Sequence, residues 1–123
     1  MGKLFYGSTD QPIDMPDRVL AHVKVVVATK LRRGESFTLS WRHQPGTPGG
    51  RSTIWIQPSI PLRFVFSTAE PELLDPEHLK RLAIEASSSS GLTVDLAAFD
   101  EVPGTPRAAA QRPTAERRAV RTR

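Results

Sequence analysis

Residues 16–34 read Pro16-Asp17-Arg18-Val19-Leu20-Ala21-His22-Val23-Lys24-Val25-Val26-Val27-Ala28-Thr29-Lys30-Leu31-Arg32-Arg33-Gly34. Whether this stretch is helix or strand decides the fold. The run Val25-Val26-Val27 favours a strand locally, because β-branched side chains suit a pleated surface. The longer pattern favours a helix: Val19, Leu20, Val23, Val26, Val27 and Leu31 recur at helical spacing over many positions, and length and periodicity outweigh a short β-branched run. Pro16 fits the first position of a helix and Asp17 its positive end. Gly34 stops it, and Arg32 and Arg33 complement its C-terminal dipole. Arg18, His22, Thr29, Arg32 and Arg33 fall on the polar side. Lys30 projects from the apolar face, so its stem is expected to pack while its ammonium reaches water.

Three stretches after this helix alternate strictly. Phe37, Leu39 and Trp41 alternate with Thr38, Ser40 and Arg42; Ile54 and Ile56 with Thr53, Trp55 and Gln57; Leu62, Phe64 and Phe66 with Arg63, Val65 and Ser67. Period-2 patterning with one apolar face predicts a meander of strands half-covered by a helix. Lys3 to Gly7 and Ile13 to Met15 flank the turn residues Ser8 to Pro12 and predict an N-terminal hairpin. Asp75 before Pro76 and Glu77 predicts a second helix, which ends at the serines Ser87 to Ser90 and Gly91. Leu92-Thr93-Val94 adds a short strand or packed arm. The expected fold is α+β, an antiparallel sheet in ββ-α-βββ-α order with helices packed on it.

Charge divides the chain. Residues 103–123 carry Arg107, Arg112, Arg117, Arg118, Arg121 and Arg123 against Glu116, a net +5, while residues 1–102 sum to −1. The high pI therefore belongs to the last segment. That segment has three prolines and no periodicity, cannot bury enough surface to offset ordering entropy, and is expected to be a disordered basic tail. Residues 1–102 are expected to form a single domain.

There is no cysteine, which excludes disulfides, thiolate metal sites and cysteine nucleophiles. No stretch has the length of a membrane span and the first residues do not form a signal peptide, so a cytoplasmic protein with no membrane contact is expected. His22, His43 and His78 lack helical metal-site spacing and are expected to be exposed or semi-exposed polar residues. The glycine-rich Gly46-Thr47-Pro48-Gly49-Gly50 lacks the lysine of a phosphate loop and reads as a hairpin loop. No G-x-S-x-G or S-x-x-K pattern appears, no cofactor is implied, and a non-enzymatic protein is expected.

The alternation places Arg42, Thr53, Trp55, Arg63 and Val65 on the sheet face away from the apolar set. A tryptophan among arginines and hydroxyls can stack a base while the guanidinium groups hold phosphates. The rival is that another element covers Trp55, or that Trp55 and Val65 belong to a protein interface. Arg32 and Arg33 add basic charge at the first helix's end. The six tail arginines supply sequence-independent, salt-sensitive attraction to DNA or RNA.

The stretches Met1 to Gly7, Asp17 to Phe37, Ser52 to Phe66 and Ser88-Ser89-Ser90-Gly91-Leu92 resemble a family of small uncharacterised actinobacterial proteins. Members are often labelled "ATP-dependent DNA ligase". The resemblance covers about residues 1–95 and transfers no established activity. The ligase signature K-x-D-G is missing: Lys24 precedes Val25-Val26-Val27, and Lys30 precedes Leu31-Arg32-Arg33. The resemblance implies at most an accessory role near DNA. The expectation is a small module that binds nucleic acid weakly, with a protein-interaction or structural subunit as the alternative.

Overall fold

The computed structural model describes residues 1–43, 46 and 48–99. The expected disorder of the tail and the positions of its six arginines lie outside them. The elements, in order, are β1 (Gly2–Tyr6), β2 (Ile13–Met15), α1 (Asp17–Arg32), β3 (Phe37–Arg42), β4 (Arg51–Ile56), β5 (Leu62–Val65), α2 (Pro76–Ala86) and β6 (Leu92–Val94). This is the α+β class and the element order read from the sequence, with Leu92-Thr93-Val94 resolved as a strand.

The Val25 to Val27 run stays helical because α1 buries Val19, Leu20, Val23, Val26 and Val27 along one side. Pro16 occupies the cap position and supplies no side-chain bond. The Asp17 carboxylate instead accepts from the backbone N–H of Ser67 at 3.2 Å and from the Ser67 hydroxyl, which ties the start of α1 to the segment after β5. Gly34, at φ 73°, ends the helix in a conformation that side chains resist.

The strands divide into two three-stranded sheets, ordered β2-β1-β5 and β4-β3-β6. The meander of three consecutive strands does not form. β3 and β4 pair antiparallel, with Leu39 opposite Ile54, but β5 crosses to β1, with Phe64 opposite Leu4. Pro58 and Pro61 in the link lack the N–H groups a continuing ladder needs, and Ile60 turns back onto Gln57 at 3.2 Å. β6 joins β3 in parallel, with Leu39 opposite Leu92.

Each helix covers one sheet, and the two meet in one core. α1 packs on β1. A Cβ on Gly2 would come within 2.6 Å of Leu20 Cδ2, so the missing side chain lets strand and helix approach. α2 packs on β6 and β3 through Leu82 and Ala86. Leu4, Leu20, Leu39 and Leu92 are wholly buried where these layers join. Truncating any one to alanine costs about 2–5 kcal/mol.

Candidate functional site

The β4-β3-β6 sheet buries Phe37, Leu39, Ile56, Leu92 and Val94 on its helix side. Its outer face carries the alternate residues, paired Thr38 with Trp55, Ser40 with Thr53, and Arg42 with Arg51. The Ser40 and Thr53 hydroxyls are 2.7 Å apart and join the two strands on that face. Strands β3, β4 and β6 contain two arginines and no carboxylate. Trp55 is 49% exposed, so among the described residues no other element lies over the whole ring. Its carbonyl accepts from the Tyr6 hydroxyl at 2.6 Å, which anchors this end of β4 to the other sheet. Arg42 and Arg51, both exposed, lie four residues along the strands from the Thr38–Trp55 pair, or about 13 Å.

Arg63 does not share this face. It lies on β5 in the other sheet, opposite Phe5, with its guanidinium carbon 5.5 Å from the Phe5 ring centre. Val65 pairs with Lys3 on that same sheet, and Lys3 pairs with Asp14 at 2.8 Å. The expectation that Arg42, Trp55 and Arg63 form one platform is therefore corrected, because β5 leaves the β3-β4 ladder. Arg51, which the sequence reading passed over, takes the neighbouring place. Its signal was the hairpin register, which sets Arg51 across from Arg42.

Trp55 also walls a groove of about 570 Å³ between the sheet and the ends of both helices. Lys30 and Arg33 line it from α1, Ser36 and Thr38 from β3 and its lead-in, and Ser87, Ser88 and Ser89 from the end of α2. Arg33 is exposed and caps α1, and among the described residues no carboxylate pairs with it. Arg32 is exposed but does not line the groove.

The Lys30 ammonium is held by the fold rather than left free in water. Lys30 is buried, and its Nζ donates to Glu35 Oε1 at 3.0 Å and to Ser87 Oγ at 2.9 Å. The ammonium sits where α1 and α2 both end, so it complements two helix C-termini as well as Glu35. Its charge is spent on the fold.

A second cluster of polar groups surrounds His22, which the sequence placed on the polar side of α1. It is in fact wholly buried. Its ring stacks 4.7 Å from Phe99 and 5.3 Å from His78, and the Arg18 guanidinium lies 4.2 Å above Phe99. Arg18 Nε donates to the Leu73 carbonyl at 2.8 Å, and Arg81 donates to His78 Nδ1 at 2.9 Å. Burial pushes the His22 pKa down; its bond to the Arg18 carbonyl works against this, and His78 adds to it. Burial also lowers Arg18, against the pull of Asp75 and Glu72, and raises Glu72. Both ring nitrogens of His22 have partners, so this ring holds α1 to the start of α2 and packs against Phe99. His43 is likewise committed, to the Pro48 carbonyl at 2.9 Å and Ser52 Oγ at 2.7 Å. Among the described residues no three His, Asp or Glu side chains converge as a metal ion would need. No described helix is long and apolar enough to cross a membrane.

A family model described as a domain of unknown function, DUF7882, matches residues 1–97, which include every element of both sheets. No curated protein and no solved structure matches the chain.

Proposed function

This chain belongs to the DUF7882 family, a domain of unknown function, and we propose that it is a non-enzymatic module that holds single-stranded nucleic acid weakly on the outer face of the β4-β3-β6 sheet. Trp55 stacks a base, Arg33 contacts the backbone beside it, and Arg42 and Arg51 hold phosphates further along the strands. The six arginines from Arg107 to Arg123 add electrostatic attraction. The observation that carries the reading is the half-exposed Trp55 set among Thr38, Thr53 and Arg33 on strands that bear no carboxylate. A protein-docking tryptophan would sit in an apolar surround, and this one sits beside the hydroxyls of Thr38 and Thr53, with Arg33 and Glu35 lining the same groove. A ligase-like role has no lysine to carry it, since no K-x-D-G occurs.

The test is fluorescence anisotropy with labelled single- and double-stranded DNA at low and moderate salt. It compares the full chain, Trp55→Ala, and a full chain whose six tail arginines are changed to glutamine. Trp55→Ala is expected to weaken single-strand binding about 5- to 100-fold. The tail variant is expected to weaken binding to both DNA forms and to flatten the salt dependence. Absence of binding by the full chain at low salt would end the reading in favour of a protein partner. Binding lost with the tail alone would reduce it to an electrostatic tether.

A further inference from the structure

We infer that the groove beside Trp55 is a base pocket that favours bases carrying an exocyclic amine, such as cytosine and adenine, over uracil and thymine. The inference rests on the single-strand reading above and names what that site selects.

The groove's volume, about 570 Å³, lies within the range of small-molecule sites and exceeds what one base needs. Trp55 supplies one wall and a stacking surface. The opposite wall is formed by the last turns of α1 and α2, with Lys30 and Arg33 from one and Ala86 and Ser87 from the other. Helix C-termini carry partial negative charge, and here the carbonyls of Lys30, Leu31, Ala83, Ile84 and Glu85 already accept from the backbone N–H groups that follow each helix. The one buried cation there, Lys30, already donates to Glu35 and Ser87. The Glu35 side chain is 45% exposed, and only its Oε1 has a partner among the described residues. Glu35 lines the groove, and its second oxygen is left without a partner among the described residues.

Among the described residues the groove wall offers one carboxylate, that of Glu35, as a charged acceptor. A phosphate would meet two helix C-termini and a carboxylate, so it stays at the mouth with Arg33. A neutral base stacked on Trp55 can enter. An exocyclic amine can donate to the Glu35 carboxylate, whereas the O4 carbonyl of uracil opposes it. The hydroxyls of Ser36, Thr38 and Ser89 adapt to either base and do not discriminate.

Cytosine and uracil are the decisive pair, since their rings match in size and differ at this edge. Labelled dC6 and dU6 would be titrated by anisotropy at low salt against the full chain and against Glu35→Gln. Thermal melting of the variant alongside checks that it folds. The full chain is expected to bind dC6 at least fivefold more tightly than dU6. Glu35→Gln is expected to bring that ratio below twofold. Equal binding of dC6 and dU6 by the full chain overturns the base pocket and leaves the sheet reading standing. A ratio that persists in a folded Glu35→Gln also overturns it. Binding of neither oligonucleotide overturns both. Should Glu35→Gln fail to fold, the full-chain ratio alone decides.

Discussion

His22 Nε2, deep in α1, accepts the backbone N–H of Asp75 at 2.8 Å, while Nδ1 donates to the Arg18 carbonyl at 2.7 Å. An amide can only donate and a carbonyl can only accept, so the ring is held neutral with its proton on Nδ1. The Asp75 carboxylate in turn accepts from the N–H groups of Glu77 at 3.0 Å and His78 at 3.3 Å. One buried imidazole therefore positions the cap on which α2 starts.

This arrangement predicts a pH dependence of stability. A proton on Nε2 would face the Asp75 N–H, and burial already pushes the His22 pKa below its ordinary value of about 6.5. Below that ordinary value the unfolded chain binds a proton that the folded chain refuses. The stability from neutral His22 is complete above about pH 6.5 and is lost as pH falls from there toward the lowered folded pKa. Urea unfolding at pH 7.5 and 5.5 is expected to show a lower midpoint at 5.5. Equal midpoints would contradict the neutral, doubly bonded ring.

Removing the imidazole separates its part from that of other groups. His22→Ala leaves the Asp75 N–H and the Arg18 carbonyl without these partners and opens a cavity against Phe99. An unsatisfied buried donor costs about 1–3 kcal/mol, and the cavity adds to that. The variant is expected to unfold at markedly lower urea at pH 7.5, and its midpoint is expected to depend less on pH between 7.5 and 5.5. A stability unchanged from the parent would mean that α2 is capped without help from α1.

Gly91 is fixed by its conformation and by its neighbour. It has φ 79°, and a Cβ there would overlap Thr38 Oγ1 and lie 2.9 Å from the Thr38 carbonyl oxygen. Gly91→Ala is expected to cost at least about 2 kcal/mol, as both the left-handed backbone and the contact oppose it. Adding Thr38→Ala, which removes the hydroxyl, should recover little, because the backbone oxygen and the φ remain. Differential scanning calorimetry of the two variants checks this. Full rescue by Thr38→Ala would show that the side-chain contact alone mattered.

The sequence revealed what neighbouring residues determine. The helical recurrence from Val19 to Leu31 identified α1, and the alternation through Phe37, Leu39, Ile54 and Ile56 put Trp55 on the outward face. Asp75-Pro76 marked the start of α2 through capping chemistry. Long-range choices left no such trace. β5 pairs with β1 because Pro58 and Pro61 break the ladder, and the alternation of Leu62, Phe64 and Phe66 fits either partner. His22 looked polar because its partners, Asp75, His78 and Phe99, come from distant segments. The groove was hidden for the same reason, since α1, β4 and the end of α2 each contribute a wall.

Lys30 gives a further stability prediction. Its stem is buried and its ammonium joins Glu35 to Ser87 across the two helix ends. Methionine keeps the packed stem and loses the ammonium, whereas alanine loses both. Glu35 is half-exposed and water can solvate it once its partner is gone. Lys30→Met is therefore expected to cost about 1 kcal/mol and Lys30→Ala about 2–3 kcal/mol, read as denaturant midpoints at constant m. Equal losses would mean that the ammonium, rather than the stem, carries the contribution.

The division of the strands between two sheets makes the nucleic-acid reading selective among arginines. Arg42 lies with Trp55 on the face proposed to hold the strand, and Arg63 lies on the other sheet above Phe5. A phosphate held by one cation contributes about 0.7 to the slope of log K against log salt for a single strand. Arg42→Gln is expected to weaken binding of a labelled single-stranded oligonucleotide and to reduce that slope by about this amount. Arg63→Gln is expected to leave the slope unchanged, since a strand lying along β3 and β4 does not need the other sheet. Anisotropy titrations over a range of salt concentrations measure both. Equal effects from the two substitutions would mean that the bound strand spans both sheets, and an effect from Arg63→Gln alone would move the interface to the Phe5 face.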